Sequence, residues 1–467
     1  MADVRRLAVL LSGAHVADVE RTRAGVVRLT FTATGGQPGT TPLSLSLPKE
    51  VGTHSGNAVE YWLRALLPDN DAALRAAADT HGVDARDPIA LLSAIGKDCA
   101  GAVQFCLPDQ IEATRARTGQ LVAISDSDIE ARLDEMDTNE EASWTMAAEH
   151  WSLGGTQQKF ALRRQGDRWF TTTGSEPTTH IVKPGIRKLK AQALAEHVSM
   201  TAARALGLPA AATTYESFKS QDAVVIERFD RLIRGDSVAR LHQEDMCQVL
   251  GRWQKYEEFG GPSALDVATA LRDFAPTAAS GERDVAVFVD DLIYNTVIGA
   301  PDAHARNYSV RLDGESVHLA PLYDVATGLG YGTRTDVERK LSMSVGGQFV
   351  LDRIDAEAFK RLAGSLRVDE GRVLDRVTYI ADSVTDHVVA ALDDVDDWDG
   401  SATALRDRLV PALGEHAARV ARAASNPRPR STSNASATGR RAKTTPAGTA
   451  GSFAPRRDDE QDSELSD

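Results

Sequence analysis

Pro301-Asp302-Ala303-His304-Ala305-Arg306-Asn307 is the stretch around which the chain is organised. A run with apolar residues at helical spacing precedes it, and a strand-like run, Tyr308-Ser309-Val310-Arg311-Leu312, follows it. It therefore reads as a polar loop between packed elements. Asp302 and Asn307 stand five residues apart. Enzymes of the protein-kinase type use such a pair: the aspartate orients the attacking hydroxyl and takes its proton, and the asparagine helps hold Mg²⁺ on the nucleotide. Asp302 is thus the candidate base and Asn307 a candidate metal ligand, with His304 as a brace of the same loop. Aspartate, histidine and asparagine are common in loops, so the rest of the chain must supply the partners.

Downstream, Asp313-Gly314 is a turn signal, and 317–322 reads as a return strand ending in Tyr323-Asp324. A carboxylate there can face the same cleft as Asn307, and two protein oxygens plus nucleotide phosphates are a usual way to hold Mg²⁺. Tyr323 supports it. Gly328-Leu329-Gly330-Tyr331-Gly332 follows without opening a helix and is expected to be a mobile loop. Residues 356–366, 370–392 and 402–424 read as packing helices.

Upstream, residues 282–299 form the strongest helical pattern of this half, and 241–248 begins a largely helical region. Ala223-Val224-Val225-Ile226 is a buried-type strand running into Glu227-Arg228-Phe229-Asp230-Arg231. That change of character suggests a hinge, where the backbone at Glu227 and Phe229 can bind adenine. Residues 190–206 form a helix closed by Gly207 and Pro209, with Glu196 inside it. Thr179-His180-Ile181-Val182-Lys183-Pro184 ends a strand on a lysine that can reach phosphates, and Glu196 is placed to steady it. Earlier still, Gly154, Gly155 and Thr156 lie in a segment whose backbone can approach phosphates. It leads into a hairpin, 160–162 and 169–172, through Gln165-Gly166-Asp167.

Each piece alone also fits ordinary structure: a hairpin turn, an edge-strand lysine, a solvated helix carboxylate, a turn aspartate. Their order carries the argument. Glycine-rich loop, strand lysine, helix glutamate, hinge, long helix, Asp-x-x-x-x-Asn, hairpin and Asp is the order of parts in a protein-kinase-like phosphotransferase.

The 467 residues suffice for two or three domains. The expected division is an N-terminal α+β subdomain at 1–125, a small lobe with the glycine-rich loop at 126–232, a helical catalytic lobe at 233–424 and a disordered tail at 425–467. In the first of these, Leu43-Ser44-Leu45-Ser46-Leu47-Pro48 alternates as a half-buried strand does, and 57–67 and 88–95 read as helices. The acidic stretch 126–145 reads as a solvated helix and connector, and the tail's Ser, Thr, Pro, Ala and Arg cannot bury a core. The net charge of −14 argues against a broad nucleic-acid footprint on this chain. Three cysteines without a CxxC pair speak against a disulfide framework or a zinc site, and fit a cytoplasmic location. No run approaches a membrane span.

Several motifs now line up with one family. Pro42–Pro48, Leu66-Leu67-Pro68-Asp69, Ser152-Leu153-Gly154-Gly155-Thr156-Gln157-Gln158-Lys159, Thr179–Lys183, Glu227–Arg231, Gln243–Gln248, Asp302–Asn307 and Leu322-Tyr323-Asp324 resemble motifs of the HipA-type serine/threonine kinases, toxins of bacterial type II toxin–antitoxin modules. The resemblance spans about residues 1–420. It implies an α+β, two-lobed kinase using ATP and Mg²⁺, and a helix-turn-helix antitoxin partner that carries most of the DNA contact. It further implies a protein substrate such as an aminoacyl-tRNA synthetase, with growth arrest and drug tolerance as the outcome. Ser152 matches the family's autophosphorylated serine. Arg306 stands where lysine is usual, Pro301 precedes the catalytic aspartate and Pro184 follows Lys183. Two other readings compete. A small-molecule phosphotransferase shares the Asp and Asn logic but leaves residues 1–125 and the Ser152 loop without a role. A catalytically silent corepressor of a DNA-binding antitoxin needs none of the cleft chemistry.

Overall fold

The computed structural model describes residues 4–139, 142, 144–332 and 338–425. The expected tail from 426 onward lies outside the described residues.

The N-terminal part is a five-stranded antiparallel sheet. Its order is Thr53–Ser55, Val27–Phe31, Ala14–Arg21, Arg6–Leu11 and Val103–Cys106. Arg6–Leu11 lies inside this sheet and is covered on both faces. Leu7 and Val9 join a core with Trp62 and Phe105, while Ala8 and Leu10 meet Cys106 on the other side. This explains a continuous apolar run rather than an alternating one. The helices Asn57–Ala65, Asp71–His81 and Pro88–Ile95 close the layer. Residues 43–48 are not a strand. Leu43 and Leu47 are buried, yet the Leu45 N–H donates to the Glu244 carboxylate and the Leu43 carbonyl pairs with His242. The alternation reports a loop packed against another part of the chain, not a ladder.

The second sheet has six strands in the order Thr213–Phe218, Gln221–Glu227, His180–Lys183, Phe160–Gln165, Arg168–Thr172 and Leu121–Ile124. The hairpin expected around Gly166 forms, with Arg163 opposite Phe170 and Gly166 at φ 57°. Leu121–Ile124, ahead of the expected boundary at 126, pairs with Arg168–Thr172. The helix Asp126–Thr138 is less solvated than its acidic composition suggests, because Ile129, Leu133 and Met136 pack into this lobe's core with Phe160 and Val225.

The helix Gln192–Ala205 bridges the two lobes. It shares a core with Val224 and Ile226 and with Val377 and Ile380 of the helix Glu370–Asp393. The long helix Ala278–Ile298 starts at a Thr277 capping box and stops at Gly299, φ 67°. It runs four residues further at its start than the apolar pattern shows, since the first turn, Ala278-Ala279-Ser280-Gly281, carries only small side chains. Residues 242–245 are a strand, not a helix start: His242–Asp245 pairs with Ser309–Asp313, which pairs with Ser316–Leu319. The catalytic half is therefore helical with inserted sheets, including the hairpin Lys340–Val345 and Gln348–Val350. Residues 328–330 do not match a mobile loop. Leu329 is buried, and the Gly328 N–H donates to the Gly299 carbonyl. Among the described residues no helix is long and apolar enough to cross a membrane.

Candidate active site

A cavity of about 530 Å³ opens between the six-stranded sheet and the helical half. Its walls include Gly154, Gly155, Thr156, Lys183, Glu196, Glu227, Phe229, Asp302, His304, Asn307, Tyr323 and Asp324. Twelve of the thirteen residues singled out from the sequence thus meet in one place, across more than 170 positions of chain.

Lys183 lies at the end of the strand His180–Lys183 and is buried. Its ammonium bonds Glu196 Oε1 at 2.9 Å and also the Asp324 carboxylate. Burial alone would lower its pKa, but the two carboxylates reverse this and raise it above the ordinary lysine value. Lys183 is therefore a fixed positive charge. Asp324 follows the Ser316–Leu319 strand with φ 60°, a left-handed conformation that costs most side chains energy and that aspartate tolerates. Burial pushes its carboxyl up. Lys183 and Lys159 more than offset that, and hold it at about 2.

The 302–307 loop is tied through its own backbone. The Asp302 carbonyl accepts the His304 N–H at 2.9 Å and Asn307 Nδ2 at 2.7 Å. Asn307 is buried and locks the turn, whereas the Asp302 side chain is 63% exposed and accepts the Tyr256 hydroxyl at 3.1 Å. His304 is buried, and burial lowers its pKa. Tyr323 donates to the Arg306 carbonyl and accepts from Ser309, both at 2.6 Å. Its ring stands 5.4 Å from that of Phe229.

The carboxylate of Asp324 and the amide of Asn307 are hard oxygen donors on one cavity, which fits Mg²⁺. Among the described residues no group of three or more His, Cys, Asp or Glu is arranged to hold a metal.

Ser152 is the residue that does not reach the cavity. It is 1% exposed, and its hydroxyl donates to the Leu66 carbonyl at 2.6 Å. The same turn holds the rest of the loop. The Asp69 N–H donates to the Gly155 carbonyl at 2.9 Å, and Asn70 Nδ2 donates to the Thr156 carbonyl at 3.3 Å.

Three features went unread in the sequence. Lys159 is buried in the cavity wall, donates to the Gly154 carbonyl at 2.7 Å, and is lowered to about 8 by burial and by Lys183. Asp69 pairs with Arg306 and lies 3.4 Å from Lys255, so the N-terminal part grips the 302–307 loop. Both residues stand in quoted motifs, and the motifs were the available signal. The third is the buried charge network behind the expected hinge. Arg228, Asp230 and Arg231 turn into a buried network with Asp98 and Arg240.

A small β lobe, a lysine–glutamate pair linking strand to helix, and a helical half carrying Asp302, Asn307 and Asp324 together define a protein-kinase-like enzyme. The HipA N-terminal domain model matches residues 7–106 and the HipA-like C-terminal domain model matches 151–391. The chain belongs to the HipA family of kinases. Y4mE of Sinorhizobium fredii, whose name assigns it provisionally to the kinases, is 32% identical over 77% of this chain and 84% of its own length. The serine/threonine-protein kinase toxin HipA of Shewanella oneidensis is 30% identical over 73% of this chain and 78% of its own. In fold, the chain matches a HipA structure solved with HipB and its operator DNA, from Shewanella oneidensis, with a TM-score of 0.75. That match covers 90% of this chain and 98% of the other at 24% identity.

Proposed function

We propose that this chain is an ATP- and Mg²⁺-dependent serine/threonine protein kinase acting as the toxin of a toxin–antitoxin module. The observation that carries the reading is the convergence of Lys183, Asp302, Asn307 and Asp324 on one cavity. Catalysis of this kind is positioning plus charge neutralisation. Lys183, steadied by Glu196, binds the α- and β-phosphates. The backbone at Gly154, Gly155 and Thr156 supports the phosphates, and Glu227 and Phe229 hold the adenine. Asn307 and Asp324 hold Mg²⁺, which neutralises phosphate charge when bound. Asp302 orients the acceptor hydroxyl and takes its proton, while His304 and Tyr323 keep the loop in place.

The toxin reading rests on the Shewanella relative's name, and the partner reading on the neighbour solved with HipB and DNA. A helix-turn-helix antitoxin would then carry most of the DNA contact, in keeping with a net charge of −14. The acceptor is a translation-related protein such as an aminoacyl-tRNA synthetase, acting in the cytoplasm and leading to growth arrest and drug tolerance. Autophosphorylation at Ser152 adds a charge of roughly −1.5 to −2. Its hydroxyl sits against a backbone carbonyl, so the modified loop has to leave its seat.

The test is transfer of labelled phosphate from ATP, with growth measured in parallel. Label is expected in protein rather than in a small alcohol, and Asp302→Asn should lose both transfer and toxicity. Full transfer by Asp302→Asn removes the assigned base. Toxicity without transfer favours the corepressor.

A further inference from the structure

The geometry points to Tyr256 as a positioning residue for phosphoryl transfer, holding the Asp302 carboxylate in the orientation that meets the acceptor. The inference rests on the reading of Asp302 as the base. The two halves of Asp302 are held differently. Its main chain is fixed inside its own loop, through the His304 N–H and the Asn307 amide. Its side chain is 63% exposed, and His304 Nε2 is 4.0 Å from Oδ1, beyond hydrogen-bond distance. The Tyr256 hydroxyl, from a separate segment, donates to that Oδ1 at 3.1 Å. An exposed carboxylate otherwise rotates freely, and each misaligned rotamer wastes encounters with the acceptor. A donor on Oδ1 removes that freedom and leaves Oδ2 for the acceptor's proton.

Tyr256 is itself well placed to do this. Its N–H donates to Gln254 Oε1 at 3.1 Å, and its carbonyl accepts the N–H groups of Phe259 and Gly261. Its ring stands edge-on to His304 with centroids 5.1 Å apart, so the residue that braces the loop also braces the tyrosine. The neighbouring Lys255 carbonyl accepts the Ala305 N–H at 3.2 Å. The Lys255 ammonium lies 5.4 Å from the Tyr256 ring centre and 3.4 Å from Asp69. The hydroxyl is thus referenced to the catalytic loop on one side and to the N-terminal part on the other. Burial and the Asp302 charge push the phenol up to about 12, which keeps it a donor across the physiological range.

Tyr256→Phe deletes the hydroxyl and keeps the ring against His304. With protein acceptor, kcat should fall about tenfold while the KM for ATP and the thermal midpoint stay unchanged. Tyr256→Leu, which also lacks the hydroxyl, should lose at least as much kcat with the same KM for ATP. Wild-type kcat in Tyr256→Phe, or a raised KM for ATP with kcat intact, overturns the proposal. Asp302→Asn in the same assay separates the two readings. If it is inactive while Tyr256→Phe is normal, the positioning role alone fails. If Asp302→Asn is active, the base assignment fails first.

Discussion

Two clusters of charged residues among the described residues, one built into the Glu227–Arg231 segment and one lining the cleft, behave oppositely. In the first, Asp98 meets Arg231 and Arg240 near 2.9 Å and also receives the Thr178 N–H and hydroxyl. Asp230 takes both the Nε and an Nη of Arg228. The side chains of these five charged residues are at most 5% exposed. In the cleft, Lys183 and Glu196 are equally buried, but Asp324 is 39% and Asp302 63% exposed. The sealed cluster pairs its carboxylates and guanidinium groups with one another and with the Cys99, Gly101 and Ser175 carbonyls, leaving Arg231 Nε without a partner, and joins Asp98 of the N-terminal part to the small lobe. The open cluster leaves oxygens toward the cavity and keeps one of them at a left-handed backbone position. Buried, mutually paired charge suits cohesion; charge held in place and left accessible suits the proposed chemistry.

Substitution should break the comparison most sharply at its extremes. Asp302→Asn is expected to lower transfer about a thousandfold, within the range for removing a general base. Its denaturation midpoint should barely move, because the side chain is exposed. Asp98→Asn should do the reverse, costing about 3–5 kcal/mol in urea unfolding, since it leaves guanidinium groups buried without a counter-charge. Equal stability losses in the two variants would end the distinction.

A smaller effect sharpens the open side. Saturating ATP with Mg²⁺ at about 100 times Kd should stabilise the protein by about 2.7 kcal/mol, read as a raised melting temperature. Asp324→Ala should lose most of that gain, and Asp98-network variants that still fold should keep it.

Acid titration probes the sealed side. Burial pushes the Asp98 carboxyl up, but Arg231, Arg240 and Arg228 hold it well below the ordinary 3.8. Its stabilisation is complete above about pH 4 and drains away as pH falls below that, because only the unfolded chain then takes up the proton. Each pH unit in that window should cost up to about 1.4 kcal/mol, and Asp98→Asn should flatten this part of the curve.

The smallest effect concerns the loop at Ser152. Ser152→Ala removes one neutral hydrogen bond to the Leu66 carbonyl and should cost about 1 kcal/mol with transfer to the acceptor retained. A large loss of kcat there would mean that Ser152 takes part in the reaction itself.

Much of the fold was legible because it is local. The helices Pro88–Ile95 and Ala356–Leu366 carry their apolar spacing and caps in adjacent residues, and Gly166 marks its hairpin turn. The misreadings share one cause. Leu43–Pro48 has the period of a strand without a partner to pair with, and His242–Asp245 has too few residues to show a period before tertiary pairing makes it a strand.

By itself the sequence determined the chemical parts and their order. The proposed phosphoryl transfer asks for Asp302 and Asn307 on one turn, a lysine at a strand end and a carboxylate after a hairpin, and those constraints are short-range enough to be written in consecutive residues. Only the tertiary structure decided which charges face the cleft. Asp69 meets Arg306 across 237 positions, Arg240 meets Asp98 across 142, and Tyr256 meets Asp302 across 46. No local pattern encodes such pairs, because they are selected by the packing of whole elements and by the cost of leaving a buried charge unpaired.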